Sequence, residues 1–203
     1  MTTVFNIHPQ TPQRHLITKV VNALQNEQLL VLPTDTGYSL ACSINDKKSL
    51  DKIKQIRQLD DKHQFTIICH NLSQLGNFAK LHNQHFRTIK SLIPDAFTFI
   101  LNATSEVPKR LQVPNKKTIG IRVPDCAITK AILEQFGQPL LSSTLIMPGD
   151  EYSLSDPYDI KQQLNKRVDV IVDGGYGNVN LTTIIDMTGD TPQITRQGSG
   201  VYA

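Results

Sequence analysis

Thr118-Ile119-Gly120-Ile121-Arg122-Val123-Pro124 carries the pattern of a β-strand with two unlike faces. Its branched apolar residues alternate with Thr118, Gly120 and Arg122, which is the period of a β-strand with two unlike faces. One face can pack on a core, and the other presents a hydroxyl, a bare backbone and a guanidinium. At about 3.3 Å per residue, Thr118 and Arg122 are about 13 Å apart, enough to line a groove for a nucleotide. A solvent-facing strand with one salt-bridged arginine would show the same pattern.

Around this strand the sequence predicts an alternation of strands and helices. Further runs rich in Val, Ile, Thr and Phe predict strands at 29–32, 65–69, 97–101, 168–172, 182–187 and 193–196. Amphipathic spacing predicts helices around 16–24, 50–56, 86–92 and 128–136, with another beginning at Asp156-Pro157. Ser49 is a candidate N-cap and Gly137 a candidate C-terminal stop. Strands outnumber helices at irregular spacing, which favours a twisted mixed sheet with packed helices in one α/β (α+β) domain.

Composition narrows the class of protein. The 203 residues are 39% hydrophobic, enough for a sizeable core, and the net charge is only +3. Cys42, Cys69 and Cys126 form no C-x-x-C pair and sit in or beside apolar stretches, which suits a reducing compartment. The first residues carry no apolar signal segment, and no run approaches the roughly 20 apolar residues of a membrane span. We therefore expect a cytoplasmic protein without a membrane partner.

Common catalytic motifs are absent from the sequence. It contains no Walker sequence, no G-x-G-x-x-G and no G-x-S-x-G elbow. His82 and His85 lack partners at zinc spacing, so no metal ligands are expected. An enzyme of this composition would supply no covalent nucleophile. Its catalysis would come from holding substrates and stabilising charge.

Candidate binding groups instead lie at the margins of predicted strands and helices. Hydroxyls follow an apolar strand in Leu32-Pro33-Thr34-Asp35-Thr36-Gly37-Tyr38, and again in Leu140-Leu141-Ser142-Ser143-Thr144. Thr182-Thr183-Ile184-Ile185-Asp186 is followed ten residues later by Arg196. Such groups can bind carboxylate or phosphate oxygens. An ordinary turn closing each strand explains any one of them equally well.

Arg57 falls at the edge of the apolar stripe of the second helix. The helical period places it between Leu50 and Ile53, with Lys54 about 60° away. A cation there would stand at the rim of a cleft. An arginine that snorkels over the core is the alternative.

Four segments together resemble the YrdC/YciO family, and its YciO branch more closely than its synthase branch. They are LPTDTGYSLAC at 32–42, KTIGIRVP at 117–124, LLSSTLIMPG at 140–149 and TTIIDMTGDTPQITRQG at 182–198. The pattern extends from about Leu16 to Gly198. The resemblance implies one YrdC-like domain over residues 1–203, with its core at about 14–198, and a large concave basic cavity.

The resemblance also implies an activity. Members of the family make threonylcarbamoyl-AMP and pyrophosphate from L-threonine, bicarbonate and ATP, for the N6-threonylcarbamoyladenosine modification of tRNA. This is a nucleotidyltransferase reaction, and Mg²⁺ accompanies the ATP. Double-stranded RNA binding is also described for the family. We therefore expect ATP, L-threonine and bicarbonate as partners, with tRNA or double-stranded RNA as a further one.

The family motifs assign roles to particular residues of this chain. By resemblance, the threonine-binding residues are Thr34, Thr36, Arg122 and Thr182. The ATP-binding residues are Arg57, Thr118, Ser142, Thr144 and Arg196, with Ser142 and Thr144 near both ligands. No catalytic nucleophile is implied.

Three departures from the synthase pattern leave other functions open. The family's Lys-x-Arg-Pro reads Gln55-Ile56-Arg57-Gln58, its Pro-Gly-Pro reads Pro94-Asp95-Ala96, and the asparagine of its Ser-Ala-Asn is Thr144. The lost lysine and asparagine would each weaken nucleotide binding by about 1–3 kcal/mol. A divergent nucleotide-binding enzyme with another substrate therefore remains a hypothesis.

A non-enzymatic RNA-binding protein is the second alternative. Basic residues cluster at Lys109, Arg110, Lys116 and Lys117, and again at Lys47, Lys48, Lys52 and Lys54. Aromatic residues are few and not interleaved with them, which gives little support for base stacking. RNA binding of this kind would depend on phosphate contacts and fall steeply with salt.

Overall fold

A computed structural model describes residues 1–60 and 62–202, which form ten β-strands and six α-helices. The strands are β1 (Thr3–Asn6), β2 (Leu30–Thr34), β3 (Gly37–Ser43), β4 (Thr66–Ile68), β5 (Phe97–Asn102), β6 (Thr118–Arg122), β7 (Leu140–Thr144), β8 (Val170–Asp173), β9 (Thr183–Asp186) and β10 (Gln193–Arg196). The helices are α1 (Arg14–Gln25), α2 (Lys47–Arg57), α3 (Leu72–Phe78), α4 (Asn83–Leu92), α5 (Ala127–Phe136) and α6 (Pro157–Leu164). In this part of the chain, no helix combines the length and apolar character that a membrane span requires.

All ten strands belong to one sheet, in the order β1-β8-β2-β3-β7-β4-β6-β5-β9-β10. Four neighbouring pairs are parallel, namely β1 with β8, β2 with β8, β4 with β6 and β5 with β9. The other pairs are antiparallel, including the hairpin of β2 and β3. The predicted single α/β domain with a mixed sheet is confirmed.

One face of the sheet carries the larger hydrophobic core. Ile119 and Ile121 of β6 are fully buried there, beside Phe99 of β5, as the period of two predicts. Helices α2, α3, α4 and α6 all contribute buried residues to the same cluster. Cys42 and Cys69 lie in it as free thiols whose pKa is raised by burial. They serve as the small buried hydrophobes that the sequence predicts.

The opposite face is only partly covered. Helices α1 and α5 pack on it over β2 and β8, where Leu30 and Leu32 meet Ile17 and Ile132. Farther along the same face the side chains are polar. In the strand register, Ser142 of β7 lies opposite Thr66 of β4, which lies opposite Gly120 of β6. The uncovered half of this face is therefore hydrophilic, and it forms the floor of the candidate site.

Local side-chain hydrogen bonds explain the helix ends, and one of them corrects the predicted N-cap of α2. The N-cap of α2 is Asp46, whose carboxylate accepts the Ser49 backbone N–H at 2.9 Å. The predicted cap, Ser49, is wrong by three residues, because a carboxylate at 46 already satisfies the N–H of residue 49. Gly137 ends α5 in the left-handed region at φ 73°, as predicted. Asp156 caps α6 by accepting the Tyr158 N–H at 2.8 Å.

Three elements were not predicted from the sequence. They are β1, which pairs in parallel with the distant β8, the seven-residue helix α3, and β3. The sequence predicts a loop after a strand for the stretch that begins at Leu32. It is the tip of a hairpin, with Thr34 and Gly37 as the last pair of the ladder.

Gly37 gives a test of this hairpin. Its φ is +134°, and a Cβ there would lie 2.5 Å from the Asn178 carbonyl oxygen and 2.9 Å from Ser153 Oγ. We expect Gly37→Ala to lower the free energy of unfolding by about 2 kcal/mol or more, measured by urea denaturation. Gly76→Ala is the control, because a Cβ at Gly76 in α3 meets nothing within 4 Å and should be neutral or stabilising. Equal stability of Gly37→Ala and the wild type would contradict the tight packing of this turn.

Candidate anion-binding site

A pocket on the uncovered polar half of the sheet collects side chains from most of the central strands. It encloses about 150 Å³, and its lining includes three guanidinium groups, from Arg57, Arg122 and Arg196. His63 and Gln64 also line it. The hydroxyls of the lining belong to Ser39, Thr66, Thr98, Ser142, Ser143, Thr144 and Thr182. Sites for drug-sized ligands are typically about 300–1,000 Å³, so a nucleotide would extend beyond the enclosed part.

Arg57, the last residue of α2, reaches the end of β7. One of its terminal nitrogens donates to Ser143 Oγ at 3.1 Å and to the Thr144 carbonyl oxygen. Its Nε is buried and has no hydrogen-bond partner in the described residues. Burial lowers the pKa of this guanidinium. Arg57 is thus a cation of the pocket that is only partly satisfied by the protein.

Arg122, at the end of β6, is the most deeply buried cation of the pocket. Its side chain is 7% exposed and forms an ion pair with Asp35 at 2.5 Å. A second nitrogen donates to Thr36 Oγ1 at 3.1 Å. Burial lowers the pKa of Arg122, and the neighbouring charge of Asp35 opposes that shift. Arg122 Nε and Asp35 Oδ2 are both buried without a hydrogen-bond partner in the described residues, so the pair leaves polar capacity unused.

Arg196 is held by Thr182 across the β9–β10 margin. Its Nε and one terminal nitrogen donate to the Thr182 carbonyl oxygen at 3.1 and 2.9 Å, and the terminal nitrogen also reaches Thr182 Oγ1 at 3.0 Å. The Thr182 and Thr98 hydroxyls lie 2.9 Å apart. Burial, and then the charge of Arg122, lower the pKa of Arg196. The effect of Arg122 is the electrostatic repulsion between its guanidinium group and that of Arg196.

The balance of charge in the pocket is positive, which suits an anionic ligand. Three arginines line it, and the described lining contains no carboxylate. Asp35 compensates Arg122 from just outside that lining, while Arg57 and Arg196 have no ion-pair partner in the described residues. Like charges that are partly removed from water raise the free energy of the empty site, and a bound anion relieves this. The described residues contain no group of acidic, histidine or cysteine side chains that could hold a metal ion.

The structure brings most of the sequence-predicted site residues together. Six of them line the pocket, namely Arg57, Arg122, Ser142, Thr144, Thr182 and Arg196. Thr36 adjoins it through Arg122. Thr34 is outside the lining: its hydroxyl donates to the Gly37 carbonyl oxygen at 2.7 Å and lies 3.3 Å from Thr36 Oγ1. Thr118 is outside the lining and donates to Gln64 Oε1 at 3.4 Å, so its link to the pocket is indirect.

Other residues of the pocket were missed by the sequence analysis. Thr66 and Thr98 each lie among apolar residues of a strand. A hydroxyl in such a run indicates the polar face of the sheet, so these two residues could have been found from the sequence. Asp35 lies within a quoted motif but was given no role. His63 and Gln64 carried no periodic signal, because they precede β4 in an irregular segment. Only the tertiary structure shows that all of them meet Arg57 and Arg122.

The basic residues behind the RNA-binding alternative are partly engaged within the protein. Lys52 forms an ion pair with Asp169 at 3.1 Å, and Arg110 donates to the Ile44 carbonyl oxygen at 3.0 Å. Lys109, Lys116 and Lys117 are exposed. RNA binding therefore stays a prediction.

Comparisons with known proteins identify the class to which this fold and pocket belong. The profile of the Sua5/YciO/YrdC family, described as telomere recombination, matches residues 22–198. The chain belongs to this family, as the sequence motifs predicted. It is 46% identical to the uncharacterized protein YciO of Escherichia coli (strain K12), over 98% of this chain and 97% of YciO. The crystal structure of E. coli YciO matches it with a TM-score of 0.96, over 99% of this chain and 98% of that one.

The synthase branch of the family is more distant. A threonylcarbamoyl-AMP synthase of Wigglesworthia glossinidia brevipalpis is 26% identical, over 80% of this chain and 85% of the synthase. The crystal structure of P. abyssi Sua5 complexed with L-threonine is 21% identical with a TM-score of 0.88, over 97% of this chain and 58% of Sua5. At that identity, the match shows a shared fold.

The ion pair of Arg122 and Asp35 gives a second test. Asp35→Ala would leave a buried guanidinium without its counter-charge, so we expect unfolding free energy to fall by about 3 kcal/mol in urea denaturation. Asp51→Ala removes an exposed carboxylate of α2 and should change stability by less than about 0.5 kcal/mol. The double variant Asp35→Ala/Arg122→Met should regain part of the loss, because the stranded cation is gone. Wild-type stability of Asp35→Ala would show that the pair is unimportant.

Proposed function

We propose that this protein is a threonylcarbamoyl-AMP synthase-like enzyme that forms threonylcarbamoyl-AMP and pyrophosphate from L-threonine, bicarbonate and ATP. The product would serve the N6-threonylcarbamoyladenosine modification of tRNA. One observation carries the proposal: Arg57, Arg122 and Arg196 line a single pocket whose described lining includes seven hydroxyls and no carboxylate. The family membership and the distant similarity to threonylcarbamoyl-AMP synthases support it.

The chemistry of this reaction suits such a pocket. The carbamate formed from the substrate amine is an anion, and it must attack the α-phosphate of another anion, ATP. Without cations the two would repel each other at the distance the reaction needs. Arginines can hold both and stabilise the charge that develops on the phosphoryl oxygens. The protein need not supply a nucleophile, because the carbamate oxygen is the attacking atom.

The proposed roles divide the pocket between two ligands. Arg57 and Arg196 would bind the phosphates of ATP, with Thr118, Ser142 and Thr144 beside the nucleotide. Arg122 would bind the carboxylate of threonine. Its side chain lines the pocket, and the planar guanidinium matches a carboxylate, which supports this role. Thr36 and Thr182, hydrogen-bonded to Arg122 and Arg196, would contact the same substrate. Thr34 would act only from the adjoining hairpin turn.

The departures from the synthase pattern bear on affinity. Gln55 stands where the family has a lysine two residues before the arginine, so one phosphate contact is missing. Arg57 is bound instead to the Ser143 hydroxyl and the Thr144 carbonyl oxygen, which hold it at the end of β7. We expect ATP binding weaker than in a synthase that has the lysine. A divergent nucleotide-binding enzyme with another substrate is the alternative.

Magnesium would enter this site only with the nucleotide. Mg²⁺ prefers carboxylate, phosphate and water oxygens, and the described lining offers no carboxylate. The residues present therefore do not fit a metal held by the protein. Any Mg²⁺ in the reaction would be carried by the phosphates of ATP.

Pyrophosphate release tests the proposal directly. With L-threonine, bicarbonate and Mg-ATP together, we expect release that disappears when threonine or bicarbonate is omitted. Arg57→Ala should lower kcat/KM at least tenfold, because a charge-assisted phosphate contact contributes about 1.5–3 kcal/mol. Arg87→Ala is the matched control, since Arg87 is exposed on α4 and should leave the rate unchanged.

Two outcomes would contradict the proposal. No pyrophosphate release with any tested amino acid would remove the synthase activity. Equal rates in Arg57→Ala and Arg87→Ala would show that ATP is handled outside this pocket.

A further inference from the structure

We propose that His63 is the proton acceptor for the substrate amine in this pocket. This inference rests on the proposed function and adds a residue that the family motifs of this chain do not include. His63 would take the proton that the ammonium group must lose before its nitrogen can form a bond to carbon.

His63 is placed where a base could act. It lines the same enclosed space of about 150 Å³ as the three arginines. Its ring packs edge-on against the Phe65 ring, with centroids 5.0 Å apart, which holds the imidazole from one side. Neither ring nitrogen has a hydrogen-bond partner in the described residues, although the His63 backbone N–H bonds to Asp60. A half-buried imidazole with free nitrogens in a ligand pocket is available to a substrate.

Burial and the neighbouring charges favour the neutral form of His63. Burial is the first cause that lowers its pKa, and the Arg57 guanidinium at the end of α2 is the second. Asp60, in the loop after α2, acts in the opposite direction and more weakly. The same lining also contains Arg122 of β6 and Arg196 of β10, both cations. A neutral imidazole is the form that can accept a proton.

Anionic substrates would then prepare His63 to accept that proton. Phosphates bound at Arg57 would offset the positive charge that disfavours imidazolium, so the basicity of His63 should rise when ATP is present. The pocket would therefore generate its base in step with binding of the nucleotide.

The step itself is a balanced proton transfer followed by addition. The N–H bond of the substrate ammonium breaks, its proton goes to a ring nitrogen of His63, and the freed electron pair forms the N–C bond with bicarbonate-derived carbon dioxide. That carbon dioxide forms when bicarbonate takes up one proton and loses water, and the second proton released in forming the carbamate balances the one taken up. The carbamate oxygen then attacks the α-phosphate, and pyrophosphate leaves.

The test compares His63→Gln with His15→Gln in pyrophosphate release across pH. Gln keeps a polar group at position 63 but cannot accept the proton, whereas His15 is exposed on α1 and far along the chain from the site. The wild type and His15→Gln should lose kcat/KM on the acid side, where His63 is protonated. His63→Gln should be at least about 100-fold slower at neutral pH and should lack that histidine limb. ATP affinity, measured by calorimetry, should be the same in all three within about twofold.

The possible outcomes distinguish failure of the proposed role of His63 from failure of the proposed function. An active wild type together with an unchanged rate and acid limb in His63→Gln overturns the role of His63 and leaves the proposed function standing. A large loss of ATP affinity with an unchanged pH profile makes His63 a phosphate contact and also overturns it. A wild type that releases no pyrophosphate refutes the proposed function, and the inference with it.

Discussion

A guanidinium buried in the middle of a β-sheet needs a counter-charge, and this need organises the structure. Arg122 of β6 finds its partner in Asp35, at the tip of the β2–β3 hairpin. In the sheet, β7 and β4 stand between the hairpin and β6, so the pair joins segments that share no backbone hydrogen bonds. Buried ion pairs add little net stability, but losing one partner is costly. The interaction therefore helps to hold the hairpin tip close to the end of β6, beside the pocket.

The fold could be predicted from the sequence wherever one short segment carried the information. The alternation around Gly120 reveals a two-faced strand, and both faces are as expected, apolar toward the core and polar toward the pocket. The β3 strand escaped prediction because six of its seven residues are buried, so burial gives it no alternation to detect. The β1 strand exists only by pairing with β8, more than 160 residues away. Such pairing leaves no local trace.

In the candidate site, too, the features carried by one short segment could be predicted, and those that depend on distant segments could not. Arg57, Arg122 and Arg196 could be singled out individually, because arginine at a strand or helix margin is unusual enough to notice. Their positions in the sequence do not show that they meet in one pocket, because this depends on the order of strands in the sheet. For example, β4 and β6 are neighbours in the sheet, although more than 45 residues separate these two strands along the chain. The same strand order places Thr66 beside Gly120. Because glycine has no side chain, the Thr66 hydroxyl fits there, whereas a Cβ at position 120 would lie only 2.9 Å from Thr66 Oγ1. Sequence motifs therefore supply the chemical groups, and sheet register makes them a site.

The pocket also shows why a fold keeps features that cost it stability. Arg57 Nε, Arg122 Nε and Asp35 Oδ2 are buried without partners in the described residues, and each such group costs roughly 1–3 kcal/mol relative to one that is hydrogen-bonded. Apolar replacements would pack more stably, but they would leave nothing to bind an anion. A bound anion would offset the charge of the guanidinium groups, although the unpartnered atoms themselves are closed to solvent. The proposed function would therefore account for cations that cost the fold stability.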